Sequence, residues 1–314
     1  MKQAAIIFNP NSGKHNKKYG KNVISFYSFI EIFKKYGYEV EIHTTQYQGH
    51  AKEIIQNLDY KDLVISVGGD GTFNETMAGN LKRTNRLVLS HLPYGTTNDI
   101  GAMFGLGKNP YNDLQAILSG KVMDIDICTI NGNAFVYSAG FGKFMNISYE
   151  TSRALKKRIG KFAYYYEAVK DLLRKTPLYE ITYEVNGEKH HGLYSVALIS
   201  NATRIAGINN FYRDIKLDDN RFEVIFSNIQ TKVSFIKSLI YLKTNNLTKV
   251  PGFYFHKTNR LTIRFHDKLK KPWQIDGELL PSDTNVYDIK VVRNIKMMIP
   301  KRNLDKLFVG SYEE

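Results

Sequence analysis

The chain has 314 residues, room for one large domain or two medium ones, and 43% of them are hydrophobic, enough for a sizeable core. Forty-four Lys and Arg against 30 Asp and Glu leave a formal net charge of +14, which suits phosphate-rich ligands, an anionic membrane or nucleic acid without choosing among them. A single cysteine, Cys128, excludes an internal disulfide and fits a reducing compartment.

The first predicted strand is Ala4–Phe8, closed by Asn9-Pro10-Asn11-Ser12-Gly13-Lys14. Its apolar part is too short for a secretory leader, and no apolar run reaches the ~18–20 residues of a membrane span. A cytoplasmic protein, soluble or peripheral to a membrane, is expected. Ile24–Tyr36 carries Phe26, Ile30 and Phe33 at helical spacing, Val40–His43 alternates as a strand, and His50–Leu58 is helical. The run Asp62-Leu63-Val64-Ile65-Ser66-Val67 reads as a buried strand and leads into Gly68-Gly69-Asp70-Gly71-Thr72-Phe73-Asn74-Glu75. A helix over Phe73–Leu81 follows, with Thr72 as its cap. A strand over Arg86–Leu92 then ends in Pro93-Tyr94-Gly95-Thr96-Thr97-Asn98-Asp99, where Asn98 or Asp99 caps a helix over Ile100–Phe104. Strands separated by helices predict an α/β, doubly wound parallel sheet. Ligands bind such sheets at the carboxyl ends of strands, and the loops at 9–14, 68–72 and 95–99 all lie at such ends.

The glycine-rich octet is the most specific of these loops. Its glycines let backbone N–H groups approach phosphate oxygens with no side chain between. An aspartate in a turn that only bound phosphate would repel it. Asp70 makes sense if it holds Mg²⁺, which carries the phosphate charge.

Beyond about residue 126 the pattern changes. Ile181–Val185, Tyr194–Ser200, Arg221–Ser227, Arg260–Phe265 and Val286–Val292 read as strands, with turns such as Asn186-Gly187 and Asp276-Gly277 and few helices. A β-rich, antiparallel, sandwich-like second domain is expected over 126–298, the first domain covering 1–125 and regaining about 299–314, where Asn303–Phe308 reads as a short helix. One helical stretch, Tyr149–Leu173, carries Arg153, Lys156, Lys157, Arg158 and Lys161, then Tyr164-Tyr165-Tyr166. It reads as a solvated face or as a docking surface for an anionic membrane.

Asp276-Gly277-Glu278 places two carboxylates around a glycine. In a strand they share a face, so one can act as a base while the other holds a metal or orients it; alone, the triplet also reads as a solvated hairpin turn. His50 near a helix start caps or packs, and His190-His191 in a hairpin face solvent. No histidine or cysteine stands at zinc spacing. Ser12 and Ser66 have no visible His/Asp partner, so serine hydrolysis is unsupported.

Asn9-Pro10-x-Ser12-Gly13, Thr45 with Gly49-His50-Ala51, the Gly68–Glu75 octet, Gly95-Thr96-Thr97-Asn98-Asp99 and Asp276-Gly277-Glu278, in this order and nearly end to end, resemble the diacylglycerol kinase catalytic family. That family includes bacterial soluble diacylglycerol kinases, related bacterial lipid kinases, and sphingosine and ceramide kinases. The resemblance implies ATP-dependent phosphorylation of a lipid hydroxyl, most simply diacylglycerol to phosphatidic acid, by a nucleotide-binding α/β domain followed by a β-rich lipid-binding domain. It implies ATP contacts at Asn9, Pro10, Asn11, Ser12, Gly13, Thr45, Gly68, Gly69, Asp70, Gly71, Thr72, Phe73, Asn74, Thr96 and Thr97. Asp70 resembles the acid that organises catalytic Mg²⁺, with Asp99 and Lys14 in the same network. Glu278 resembles the proton acceptor, with Asp276 beside it. The bacterial branch holds a structural Mg²⁺ in a Leu-Asp-Asp-Gly turn. Here Lys216-Leu217-Asp218-Asp219-Asn220-Arg221 stands in its place, Asp219 supplying a carboxylate and Lys216 and Arg221 their carbonyls. Asn220 replaces the glycine, and asparagine tolerates positive φ.

The expected partners are therefore ATP, Mg and a lipid at an anionic membrane surface. An exposed strand in the β domain also offers a way to pair two chains. A kinase of another lipid, such as phosphatidylglycerol or a sphingoid base, an NAD-kinase-like enzyme with a soluble substrate, and a non-enzymatic nucleotide or lipid sensor stand as alternatives. No nucleic-acid partner is expected, since no module signature accompanies the charge.

Overall fold

The computed structural model describes residues 1–12, 24–95, 98–145, 162–202, 204–205, 208–209, 215–244, 251–267, 272–281 and 283–310. The chain forms two compact units. One comprises Met1–Ile127, Ala202–Asp219 and Val292–Glu314, the other Cys128–Asn201 and Asn220–Val291.

The first unit opens with β1 (Lys2–Phe8), α1 (Phe26–Lys35), β2 (Tyr38–Thr44), α2 (His50–Asn57), β3 (Leu63–Gly68), α3 (Asp70–Asn80), β4 (Leu89–Pro93), α4 (Asp99–Met103), α5 (Pro110–Leu118) and β5 (Lys121–Ile130), which runs into the second unit. Its parallel strands stand in the order β2-β1-β3-β4. Every residue of β3 is buried, the continuous apolar pattern of a strand covered on both faces. The chain winds one way from β1 to β2 and the other way from β2 through β3 to β4. Right-handed crossovers then put α1 on one face and α2 and α3 on the other. Accordingly α1 packs with α5, and α2 with α3. The start of α1 is capped by Ser25, which accepts from the Ser28 N–H, and Phe29 and Phe33 form its buried face. Helix α5 is not among the predicted elements, although Asn109 caps it through the Tyr111 and Asn112 N–H groups and Pro110 occupies its first turn.

The second unit contains β6 (Asn133–Phe135), β7 (Ser138–Gly142), α6 (Phe162–Leu173), β8 (Tyr179–Val185), β9 (Glu188–Tyr194) and β10 (Val196–Ser200). The short pair β11 (Arg204–Ile205) and β12 (Ile208–Asn209) belongs to the first unit. The second unit resumes with β13 (Phe222–Ser227), α7 (Lys232–Thr244), β14 (Phe253–Thr258), β15 (Arg260–Phe265), β16 (Trp273–Ile275), β17 (Glu278–Leu280) and the start of β18 (Val286–Ile299); α8 (Leu304–Leu307) closes the first. Within it β18, β15, β8 and β9 form one antiparallel sheet, and β14-β13-β10-β7-β16-β17 another. Their inward side chains, among them Phe141, Tyr183, Phe226, Phe265, Trp273 and Tyr287, make one core. Helix α7 was not expected in this unit.

Residues 202–219 differ from the expected division, being assigned to the first unit. Long-range backbone bonds hold them there: Leu217 N–H to Leu307 C=O (2.7 Å) and Asp126 N–H to Leu217 C=O (2.6 Å). No local sequence pattern announces such pairings. The basic stretch Arg153–Lys161 lies outside the described residues, as do Gly13, Lys14, Thr96 and Thr97.

Candidate active site

The winding of the parallel sheet reverses between β1 and β3, the place where doubly wound sheets open a crevice at the carboxyl ends of their strands. Three polar loops meet there. Asn9 leaves β1, its N–H donating to Val67 C=O (3.0 Å), and its side-chain oxygen accepts the Asn11 N–H (3.0 Å) in an Asx turn. Asn9 Nδ2 donates to Thr72 Oγ1 (3.0 Å), and the Gly69 N–H donates to Ser12 Oγ (3.3 Å). The motif residues after β1 are thus bonded directly to those after β3. Thr45, buried at the end of β2, donates its N–H to Phe8 C=O (2.8 Å).

Helix α3 starts earlier than its apolar pattern suggests, at Asp70 with Gly69 as N-cap, so Thr72 lies inside the first turn and does not cap it. Its hydroxyl serves Asn9 instead. This puts the positive end of an eleven-residue helix directly at the strand end. Phe73 is fully buried with its ring 5.0 Å from that of His91, a core position. Gly71 and Asn74 are half-buried.

The loop after β4 closes on the same point. The Tyr94 N–H donates to Gly68 C=O (2.6 Å). A Cβ on Gly95 would stand 2.5 Å from Gly69 Cα, so only glycine permits this approach of two backbones. Asn98, with φ 55°, turns its side chain back onto Gly95, accepting its N–H (2.7 Å) and donating to its carbonyl (3.0 Å). It therefore does not cap α4 with its side chain. Asp70 does: its carboxylate accepts the Asp99 N–H (3.0 Å) and the Ile100 N–H (3.2 Å). Asp70 and Asp99, both buried, are brought together by this bond. An ionised carboxylate offers about four lone-pair sites, so capping and contact with a hydrated cation are compatible. The two buried acids, Asp70 at the start of α3 and Asp99 at the start of α4, are hard-oxygen donors of the kind Mg²⁺ takes.

Beneath the loops, Ser66 does have a histidine partner, contrary to expectation. Its Oγ lies 3.2 Å from His91 Nδ1, opposite it in the β3–β4 register. Both are buried, and burial holds His91 far below its ordinary pKa, at about 3. This is a core pair with no route for a substrate. His50 accepts the Gln46 N–H through Nδ1 (3.0 Å) and stacks on Tyr47 at 4.5 Å.

In the second unit, Asp276 and Gly277 form the two-residue turn between β16 and β17, with φ 47° and 87° and Ile275 opposite Glu278. The positive φ values are those of a type I′ hairpin. Asp276 and Glu278 therefore do not share a strand face. The Asp276 carboxylate accepts three backbone donors, Val136 N–H (2.6 Å), Tyr137 N–H (3.0 Å) and Ser138 N–H (3.0 Å). Buried and held by three amides, it is a clamp on the entry to β7, while Glu278 is exposed. Sequence reasoning missed the 136–138 loop because nothing near Asp276 in the chain marks it.

The candidate metal turn spans the boundary between the units. In the first, Asp219 is half-buried, and Lys216 Nζ donates to Phe308 C=O (2.8 Å). In the second, Asn220 adopts φ 58°, the left-handed conformation that the missing glycine would have supplied. The other expected ligand, Arg221, follows it in the second unit. His190, expected to face solvent, stacks at 4.8 Å on the buried Tyr183, since alternation along β9 turns it inward and His191 outward.

Comparison with known proteins bears on this geometry. Residues 3–130 match the family model described as diacylglycerol kinase catalytic domain. The chain is 28% identical over 318 residues to a diacylglycerol kinase of Bacillus subtilis (strain 168), covering 98% of this chain and 99% of that one. It is 28% identical over 311 residues to one of Staphylococcus carnosus (strain TM300), covering 95% and 98%. A crystal structure of a diacylglycerol kinase from Bacillus anthracis str. Sterne superposes with a TM-score of 0.75 at 20% identity, covering 96% of this chain and 98% of that chain. The resemblance read from the motifs and the two-part fold class are borne out, and a lipid kinase is what these relatives indicate.

Proposed function

We propose that this chain uses ATP and Mg²⁺ to phosphorylate a lipid hydroxyl, with diacylglycerol as acceptor and phosphatidic acid as product. The observation that carries the reading is the meeting of the three motif loops at the sheet's switch point, with Asp70 joining the start of α3 to the start of α4. Phosphoryl transfer is mostly positioning and charge neutralisation, and this junction is built for both.

In this reading the phosphates lie against the Gly68–Thr72 turn and the N-terminal end of α3, with Asn9, Asn11, Ser12 and Thr45 around them. Gly13, Lys14, Thr96 and Thr97, outside the described residues, complete the proposed set of ATP contacts by their motif positions. Asp70 and Asp99 hold the metal, which when bound neutralises charge on the phosphate oxygens. Glu278 takes the proton of the acceptor hydroxyl. That oxygen attacks the γ-phosphorus, the bond from γ-phosphorus to the bridging oxygen breaks, and ADP leaves with the electron pair. Asp276 fixes the hairpin that carries Glu278. Asp219, with the carbonyls of Lys216 and Arg221, holds a second, structural Mg²⁺. Because such a metal binds only the folded chain, EDTA should lower the melting temperature of the wild type more than that of Asp219→Ala. An unchanged wild-type transition removes the structural metal. The enzyme works in the cytoplasm as a peripheral visitor to an anionic membrane.

Labelled ATP with a panel of diacylglycerol, phosphatidylglycerol and a sphingoid base in mixed micelles, alongside NAD in solution, tests the function. Label in phosphatidic acid is expected. Label only in another lipid moves the substrate, label only in NADP overturns the lipid reading, and ATP binding without transfer to any acceptor overturns the enzyme.

A further inference from the structure

The second unit presents an apolar face that the candidate active site does not use. On α6, Tyr166, Val169 and Leu173 recur at spacings of three and four, so they form one stripe along the helix. All three are exposed, Val169 by 58% and Leu173 by 65%. On α7, which packs against α6, Val233 is 61% exposed and Ile236 also points outward, while Phe235 and Ser238 form the buried side. Five large or branched apolar side chains on two neighbouring helices are more than a scatter of single surface hydrophobics.

Among the described residues the exposed charges around them are basic, two of them ion-paired with acids of α6, Lys170 with Glu167 and Arg174 with Asp171 at 3.9 Å. Lys170, Arg174, Lys175, Lys232 and Lys237 are exposed. The acids of the same helix turn inward: Glu167 is buried beside Lys170 (3.5 Å), and Asp171 accepts the Phe144 N–H (2.9 Å). The face is also held firmly. Lys143, buried, donates its Nζ to the carbonyls of Asp171 and Arg174 (2.8 Å to the latter), capping the C-terminal end of α6. Phe144, with φ 67°, packs its ring 5.5 Å from that of Phe235 on α7. A turn with a positive φ at Phe144 and a buried Lys143 thus fixes two helices whose outer sides are apolar and basic.

We infer that the α6–α7 face inserts into an anionic lipid surface, its apolar side chains entering the acyl boundary and its lysines and arginines meeting the headgroups. The occupant is a bilayer because the face pairs apolar anchors with exposed cations, the composition that binds interfaces. The inference rests on the lipid-substrate reading for its purpose, though not for its measurement. It differs from a docking that rests on cations alone, which high salt would abolish.

Cosedimentation with vesicles of equal parts phosphatidylglycerol and phosphatidylcholine tests it, using full-length chain with Val169→Glu, Leu173→Glu and Val233→Glu combined. Partitioning should drop on the order of tenfold or more. Phosphorylation of a short-chain diacylglycerol below its micellar concentration should stay unchanged. If the triple variant does not fold, Leu173→Cys carrying an environment-sensitive dye reads the same contact, since Cys128, the sole native cysteine, is buried. Its emission should shift to the blue on adding the vesicles and keep that shift in high salt. Wild-type partitioning by the triple variant, or no blue shift of the dye, overturns the proposal. So does a wild-type dimer that the triple variant breaks, because the face then belongs to a second copy. Failure to phosphorylate any lipid with vesicle binding intact would instead count against the kinase reading.

Discussion

Asp70 in the first unit and Asp276 in the second stand in short glycine-bearing motifs, and each spends its carboxylate on the backbone of another loop. Asp70 accepts two N–H groups at the start of α4, at residues 99 and 100. Asp276 accepts three, at residues 136 to 138. The number and setting of the donors separate the roles. Asp70 sits at the switch point of a parallel sheet with a second buried acid, Asp99, at the start of α4; the acids suit a cation, while the positive N-terminal end of α3 suits phosphate. Asp276 sits in a type I′ turn with three amides on its oxygens, the setting that led us to propose it as a support for Glu278 and not as the base. A motif aspartate is thus not automatically a reacting group; what its oxygens already hold decides.

The sharpest way to break this contrast is the pair Glu278→Gln and Asp276→Asn. Gln cannot take the proton, so kcat should fall by ~10²–10⁴ with the melting temperature unchanged and the acidic limb of the pH–rate profile gone. Asn at 276 turns an N–H₂ toward one of the amides it should accept. Stability should drop by about 1–3 kcal/mol, with a smaller loss in kcat and the acidic limb retained. If the limb survives in Glu278→Gln and vanishes in Asp276→Asn, the roles are exchanged.

Asp70 is tested by two replacements that separate cap from cation. Asparagine is as good a helix cap as aspartate, whereas alanine is not. Asp70→Asn keeps one of the two amide bonds and turns its N–H₂ toward the other, since the two carboxylate oxygens accept different N–H groups. It should lose less stability than Asp70→Ala yet lose about 10²–10³ in kcat, a loss typical of removing one charge-stabilising group. Asp70→Ala should lose activity and also about 1 kcal/mol of stability. An Asn variant keeping more than about a tenth of the rate would make Asp70 a cap only, and thereby the equal of Asp276.

Gly95→Ala probes the junction without touching a charge. The new methyl would meet Gly69 Cα at 2.5 Å and force the two loops apart. A misplacement approaching an ångström costs about 10²-fold in rate, so kcat/KM for ATP should fall on that scale, while the vesicle binding proposed for the second unit should not move. Wild-type kinetics in this variant would show that the loops need not touch.

The legibility of the two aspartates in the sequence differs for the same physical reason. Strands, helices and polar loops of the first unit follow from apolar periodicity and turn residues, and the sheet order then brings the loops together, so Asn9, Ser12, Gly69, Asp70 and Gly95 were readable as one site. What stayed hidden was who bonds to whom: Thr72 looked like a cap and is a partner of Asn9, and Asn98 looked like a cap and is a brace for Gly95. In the second unit the strands were readable, but the clamp of Asp276 on residues 136–138 joins points some 140 residues apart, and α7 exposes apolar Val233 and Ile236 while burying Phe235, which blurs its periodicity. The Ser66–His91 pair was invisible because cross-strand register is not written in either strand alone.

His91 carries the smallest effect at neutral pH and the clearest dependence below it. In the folded chain it is buried and neutral, with its pKa depressed to about 3. In the unfolded chain it titrates near 6.5, the ordinary value. Between these values the unfolded state binds the extra proton, so stability is highest above pH ~6.5 and falls as the pH drops toward 3, by at most about 1.4 kcal/mol per pH unit from this group. His91→Phe keeps an aromatic ring against Phe73 and removes the titration. It should lose a little stability at pH 7, from the missing bond to Ser66, yet show a shallower decline from pH 6.5 to 4 in urea melts. Activity at pH 7.5 should hold, because the ring lies beneath the loops and not in them. An unchanged slope in the variant would mean that the acid sensitivity resides elsewhere, with His256, which burial also holds below its usual value, the group to replace next.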